Sequence, residues 1–161
     1  KGMKIMNKFQ KKLANRKKDN KGFSLVELII VIAIMAILVG IVGTQVIPYI
    51  SKSKVAKDQQ VLNSISTAAV AAYSENGATS NMTIDVFGAA PSDATQAKIQ
   101  ADIKTASGYN DLAAFKKALG SDAGKNVTTV TVTFDSSTHK ATTSVTPVDS
   151  KYPIKDVEAT L

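Results

Sequence analysis

Cysteine and tryptophan are absent, and phenylalanine and tyrosine together supply only 6% of the 161 residues. Without thiols there is no disulfide framework, no thiolate metal site and no cysteine nucleophile, so any part that stands outside a cell must be held by packing alone. The shortage of aromatic rings leaves little material for a base-stacking surface, and no direct binding of nucleic acid is expected. His139 is the one histidine, it falls at an expected hairpin tip, and no G-x-S-x-G accompanies it, which argues against Ser/His/Asp chemistry. At 44% hydrophobic and 20% charged, the chain is too apolar to be disordered and too polar to cross a membrane many times.

What is present is unevenly spread. The net charge of +7 belongs to the first 22 residues, where eight Lys and Arg16 face a single Asp19. The remaining residues carry 11 Lys against 12 acids and are close to neutral. Such a basic arm suits an anionic membrane surface or a nucleic acid.

The segment that follows decides between them. Residues 28–43 contain no polar side chain, and residues 28–47 admit only Thr44 and Gln45. Twenty helical residues span roughly 30 Å, one bilayer hydrocarbon core. A buried core helix of a soluble domain is the alternative, but such helices carry a polar stripe. A secretory signal peptide is another, but the run is longer than a usual signal core and no A-x-A-like site follows it. The basic arm before the span outweighs Lys52, Lys54 and Lys57 after it, which predicts a single-pass protein with its N-terminus in the cytoplasm and its C-terminal domain exported.

One carboxylate, Glu27, stands a turn inside the apolar stretch beginning at Phe23. An acid near hydrocarbon costs about 2 to 3 kcal/mol and normally has a partner, although a place near a helix N-terminus also favours negative charge. The residues Lys21-Gly22-Phe23-Ser24-Leu25-Val26-Glu27-Leu28 closely resemble the class III signal junction of type IV pilins and pseudopilins. That resemblance implies a membrane-embedded prepilin peptidase that cuts between Gly22 and Phe23 and N-methylates Phe23, and it makes Glu27 the acid that directs filament assembly. It further implies a pilus assembly ATPase and platform machinery as partners, a homo-oligomeric helical filament as product, and no enzymatic activity, cofactor or metal. The lack of a Cys pair resembles the pilins of Gram-positive bacteria. Cutting at Gly22 would also remove the cationic anchor, so that a subunit pinned by hydrated lysines could be drawn out of the bilayer.

Apolar residues at three- and four-residue spacing (Val55, Leu62, Ile65, Ala69, Ala72 and Tyr73) continue the helix as an amphipathic segment, with Lys52, Lys57, Asp58, Gln59 and Asn63 on its polar faces. Glu75-Asn76-Gly77 ends it, giving one helix over 23–75 of roughly 80 Å. Gly40, Gly43 and Pro48 weaken it and predict a kink or local melting. The resemblance implies that this part can unwind in a filament.

Beyond Gly77, residues 82–87 read as a strand or a packing loop. Pro91-Ser92-Asp93 and Asn110-Asp111 each open a short helix, with Ile99 and Ile103 on one side of the first and Leu112, Phe115 and Leu119 on the second, before Gly120. Residues 126–135 alternate Thr with Val and Phe, residues 136–139 turn, and residues 140–146 return as a Thr-rich strand. The tail, with Tyr152, Ile154 and Val157 to bury, offers an edge strand constrained by Pro153.

Gly120-Ser121-Asp122-Ala123-Gly124-Lys125-Asn126 resembles a phosphate loop only loosely, being one residue short between its glycines and lacking the metal-binding hydroxyl, and is expected to cap the helix ending at Leu119. Asp149, Asp156 and Glu158 are a weak calcium candidate, and Asn81 and Asn126 head glycosylation sequons.

The expected organisation is a cleaved leader (1–22), a transmembrane and assembly helix (23–50), its amphipathic continuation (51–76) and an exported domain (77–161). The expected fold class is α+β: a long N-terminal helical spine packed on a small antiparallel sheet, as in type IV pilins. The expected function is that of a type IV pilus (fimbrium) subunit precursor serving cell adhesion or twitching motility. A pseudopilin of a type II secretion or DNA-uptake system, or a single-pass anchored binding domain, is the alternative.

Overall fold

A computed structural model describes residues 22–161, so the expected cytoplasmic leader falls almost wholly outside the described residues. The chain divides into two compact units between Val46 and Ile47.

In the first unit, α1 (Leu25–Ile41) is followed by a single π-helical turn, Val42–Val46, and none of these residues is buried. Helical backbone is the only regular way for so apolar a segment to satisfy its own N–H and C=O groups without help from water.

The second unit begins with α2 (Ile47–Glu75), so helical residues run unbroken from Leu25 to Glu75. The helix stops as the sequence indicates. Gly77 takes a left-handed φ of 61°, Ala78 N–H donates to Tyr73 O at 3.2 Å, and Gly77 N–H donates to Ser74 O at 3.1 Å, a Schellman-type close. Next come β1 (Met82–Asp85), α3 (Ala94–Ser107), α4 (Leu112–Ala118), the one-turn α5 (Asp122–Lys125), β2 (Thr129–Asp135), β3 (Lys140–Thr146) and β4 (Val157–Thr160). The caps match their sequence signals: Asp93 accepts from Gln96 N–H at 2.8 Å and Asp111 from Ala114 N–H at 2.7 Å.

The four strands form one antiparallel sheet in the order β1-β2-β3-β4. Its register stacks Ile84, Val132, Thr143 and Val157 in one row and Thr83, Thr133, Thr142 and Glu158 in the next. The first row belongs to the face turned to α2, and the second to the hydroxyl-rich outer face, where Thr131 and Ser144 hydroxyls meet at 2.8 Å. The long helix packed on a small antiparallel sheet is the α+β architecture expected from the sequence. Its core joins Leu62, Ile65, Ala69 and Ala72 of α2 to Val130, Val132 and Phe134 of β2, with Ile99 and Ile103 from α3 and Phe115 from α4. The Tyr73 ring stacks on Phe134 at 4.6 Å while its hydroxyl donates to Ser80 O, so the ring is buried and its polar end paired.

Two expectations are corrected here. Asp58, assigned by periodicity to a polar face, is fully buried. The loop expected to cap α4 instead turns its backbone donors on that carboxylate: Gly120 N–H reaches Asp58 Oδ1 at 2.7 Å, Ser121 N–H reaches Oδ2 at 2.9 Å, and the Ser121 hydroxyl also donates to Oδ2. Gly124 N–H closes the cradle on Ser121 Oγ at 2.9 Å. A side chain at Gly124 would place its Cβ 2.6 Å from both Asp58 Oδ2 and Leu119 Cβ, so the close approach needs glycine. The loose likeness to a phosphate loop therefore has a physical basis, since the cradle binds an anion that belongs to the chain itself.

A second tie lies beside it. Gln59 donates to Lys155 O at 2.7 Å and accepts from Lys155 N–H at 2.9 Å, pairing with the tail as another strand would. The tail provides its strand only at Val157–Thr160; Ile154 is buried and Pro153 lies outside the ladder. At the β2–β3 turn, Asp135 accepts from Ser137 and Thr138, and these bonds, the Ser137 hydroxyl first, hold its carboxyl down at about 2.

Not every buried polar group is so well served. Among the described residues the hydroxyls of Ser66 and Thr143 have no partner. Removing the Asp58 acceptor in Asp58→Ala strands buried N–H donors and should lower unfolding free energy by about 3 kcal/mol. Thr143→Val, of similar shape, should leave stability unchanged or slightly higher. Thermal unfolding of the full chain in detergent distinguishes the two, and equal effects would contradict the assignment.

Candidate functional site

The junction residues Gly22 and Phe23 precede α1 in non-helical backbone, and Ser24 is its N-cap. Phe23 is 89% exposed, and among the described residues nothing lies within 4 Å of where a Gly22 side chain would stand. The peptide bond between them is thus sterically open. A peptidase binds its substrate extended, and a bond one residue before a helix cap can be presented without unwinding a turn.

The side chains of this first turn form a capping box. Ser24 Oγ accepts from Val26 N–H at 3.3 Å, and Glu27 Oε2 accepts from Ser24 N–H at 2.8 Å. Glu27 therefore folds back over the helix N-terminus toward the junction, where the helix dipole also favours its charge. Among the described residues Oε1 of Glu27 accepts no hydrogen bond, so half of the carboxylate remains available. The Ser24-x-x-Glu27 spacing is legible as a capping box in sequence, although the resemblance alone assigns Glu27 only to assembly.

Around this turn lies a helix with an apolar surface on every side. Leu25, Ile29, Ile32, Met35 and Val39 all stand exposed, and α1 buries nothing within its own unit. Leu25–Glu75 is the one helix among the described residues that is long and apolar enough to cross a membrane.

Two of the three helix-weakening residues bracket the π-turn and the third lies within it. Gly40 lies in α1 and its carbonyl accepts the Thr44 hydroxyl at 3.0 Å, Gly43 lies within Val42–Val46, and Pro48 is the second residue of α2. Proline carries no N–H, so Thr44 O loses its usual i+4 donor, and a π-turn is a common local adjustment to such a break. The space beside both glycines is open, with no atom within 4 Å of where a Cβ would stand.

Other sequence candidates lie apart from this junction in the chain and from each other in role. His139 is exposed at the β2–β3 turn with φ 53°, a left-handed value that histidine tolerates better than most residues. Asp149 accepts from Lys151 and Tyr152 N–H at 2.8 and 2.6 Å, and these bonds, Tyr152 first, hold its carboxyl below the usual range. Glu158 pairs with Lys140 at 2.8 Å. Among the described residues no three His, Cys, Asp or Glu side chains gather as a metal site. Asn81 spends its side-chain oxygen on Ser136, and Asn126 ends α5. Asp58 is invisible to periodicity, and its one sequence signal is the cradle-like loop 62 residues away that receives it.

Pro48→Ala returns an N–H to the helix and should slow amide hydrogen exchange over residues 44–48 about tenfold. Unchanged exchange would show that the proline does not weaken the turn.

Comparison with known protein families matches residues 17–43 to the prokaryotic N-terminal methylation motif. Searches of the curated proteins and of the solved structures return no match. Residues 17–43, covering the junction, the Glu27 capping box and nearly all of the apolar run, carry the class III signal of type IV pilins and pseudopilins.

Proposed function

We propose that the chain is the precursor of a type IV pilus subunit, a structural protein that stands in the cytoplasmic membrane with its N-terminus inside until it is cut after Gly22 and N-methylated on Phe23. It then leaves the bilayer and joins an extracellular helical filament made of its own copies, driven by the assembly ATPase and platform. Adhesion and twitching motility are the tasks such a fibre serves. The observation that carries this reading is the methylation motif over residues 17–43, whose helix buries none of its apolar side chains among the described residues.

The geometry of Glu27 suggests how assembly is registered. Cleavage leaves the Ser24 N–H in place and creates an amine on Phe23, so the capping box survives. Glu27 keeps one oxygen on Ser24 and has the other free for the Phe23 ammonium of a neighbouring subunit. Two opposite charges in a low-dielectric bundle attract strongly when close, and leaving one of them unpaired costs several kcal/mol. The pairing would fix the axial step from one subunit to the next.

Glu27→Gln and Glu27→Ala should both be cleaved normally yet yield at least about tenfold less sheared surface fibre, a loss equivalent to about 1.4 kcal/mol or more per subunit added. Normal fibre yield from either variant would remove the pairing role. Normal cleavage without long fibres from the unaltered protein would instead favour a pseudopilin.

A further inference from the structure

A groove of about 320 Å³ opens in the second unit between the first turns of α2, the start of α5 with its cap Ser121, and the loop 149–152. Its charged lining is balanced, with Lys54 and Lys151 against Asp122 and Asp149, while Val55 and Ala123 add apolar surface. These four charges do not close on one another: among the described residues the one ion pair is Lys140 with Glu158. Two of them are held in position. The bonds from Lys151 and Tyr152 N–H fix the Asp149 carboxylate, and Lys151 Nζ stands 5.5 Å over the Tyr152 ring.

A lining with two cations and two anions does not concentrate a simple anion or a simple cation. It complements a ligand that carries both signs a few bonds apart. The place of the groove in the chain narrows the choice. Ser51 lines it and directly follows Ile50, the last residue of the apolar stretch, so the groove begins at the headgroup level of any membrane that stretch spans. Lysines and tyrosines are the residues suited to that level, and Tyr49 and Tyr152 flank the site in sequence.

We propose that this groove seats the phosphoethanolamine headgroup of an outer-leaflet phospholipid while the subunit stands in the membrane, with Lys54 and Lys151 taking the phosphate and Asp122 and Asp149 the ammonium. This rests on the membrane stage of the function proposed above. A primary ammonium can donate hydrogen bonds to both carboxylates, a quaternary choline cannot, and a glycerol headgroup has no cation to offer. The lipid would hold the exported unit at the bilayer surface before assembly and would be given up on extraction.

The test uses the full chain in nanodiscs of phosphatidylcholine alone, or with a minor share of phosphatidylethanolamine or phosphatidylglycerol, followed by mass spectrometry of the lipids that stay bound on release. Phosphatidylethanolamine should be retained about fivefold over the other two, the range expected of partly exposed charge pairs. Lys54→Gln and Asp122→Asn should each abolish the preference while leaving amide signals of the sheet unchanged. Equal retention of phosphatidylglycerol by the unaltered chain would overturn the proposal in favour of a plain cationic surface. A chain that spans the disc but retains no lipid selectively would overturn it while leaving the pilin reading intact. A chain that does not insert would remove both.

Discussion

The constraint on which the rest depends is that the first helix has no partner in its own unit. Its side chains are exposed on every side over Leu25–Ile41, and each large apolar side chain left in water forgoes about 1.5 to 3 kcal/mol. That rules out water as its resting place and admits two others, lipid and the helices of other copies. Lipid tails are about as apolar as leucine, so moving between the two costs little in hydrophobic free energy. Small polar terms then decide where the helix resides. The nine basic residues before Gly22 each resist crossing the bilayer by about 2.5 kcal/mol or more, so under the proposed function their removal would be the largest single change available to the chain. Glu27, half used by its capping box, is the polar group that the proposed function leaves to prefer a neighbour over lipid.

The second unit solves a different problem, that of folding without disulfides. It uses one helix as floor for a four-stranded sheet and ties the surrounding loops to that helix by side chains reaching backbone. Asp58 holds the loop at Gly120 and Ser121, Gln59 holds the tail at Lys155, and Asn76 donates to Asp102 of α3 at 2.8 Å. These contacts join segments up to 96 residues apart, which is the kind of restraint a disulfide would otherwise provide. Burying the Asp58 charge is tolerable because its donors are preorganised backbone N–H groups and a hydroxyl, so no cation needs to be buried with it.

Much of this is legible in the sequence where the signal is local. Asp93 and Asp111 announce their helices, Gly77 its stop, and the Thr-Val alternation of 129–134 a strand with one wet face, because caps, turns and period-two burial act within a few residues. The apolar run and the methylation motif around it are equally plain. Asp58 is misplaced by periodicity because a buried acid looks like a surface acid until its acceptor role is known, and its donors come from a loop far along the chain. The π-turn at Val42–Val46 is visible only as weakness around Gly43 and Pro48, not as a particular geometry. The pairing of β1 with β2, across more than forty residues, and the lining of one groove by Lys54 and Lys151 depend on tertiary packing that no local pattern encodes.

The most direct test is intact mass and N-terminal sequencing of the protein from its native cells, taken both from the membrane and from material sheared off the surface. The account predicts a surface form that begins at N-methyl-Phe23 and has lost the basic leader. A protein that keeps Lys17 and Lys18 and remains wholly in the membrane would contradict it.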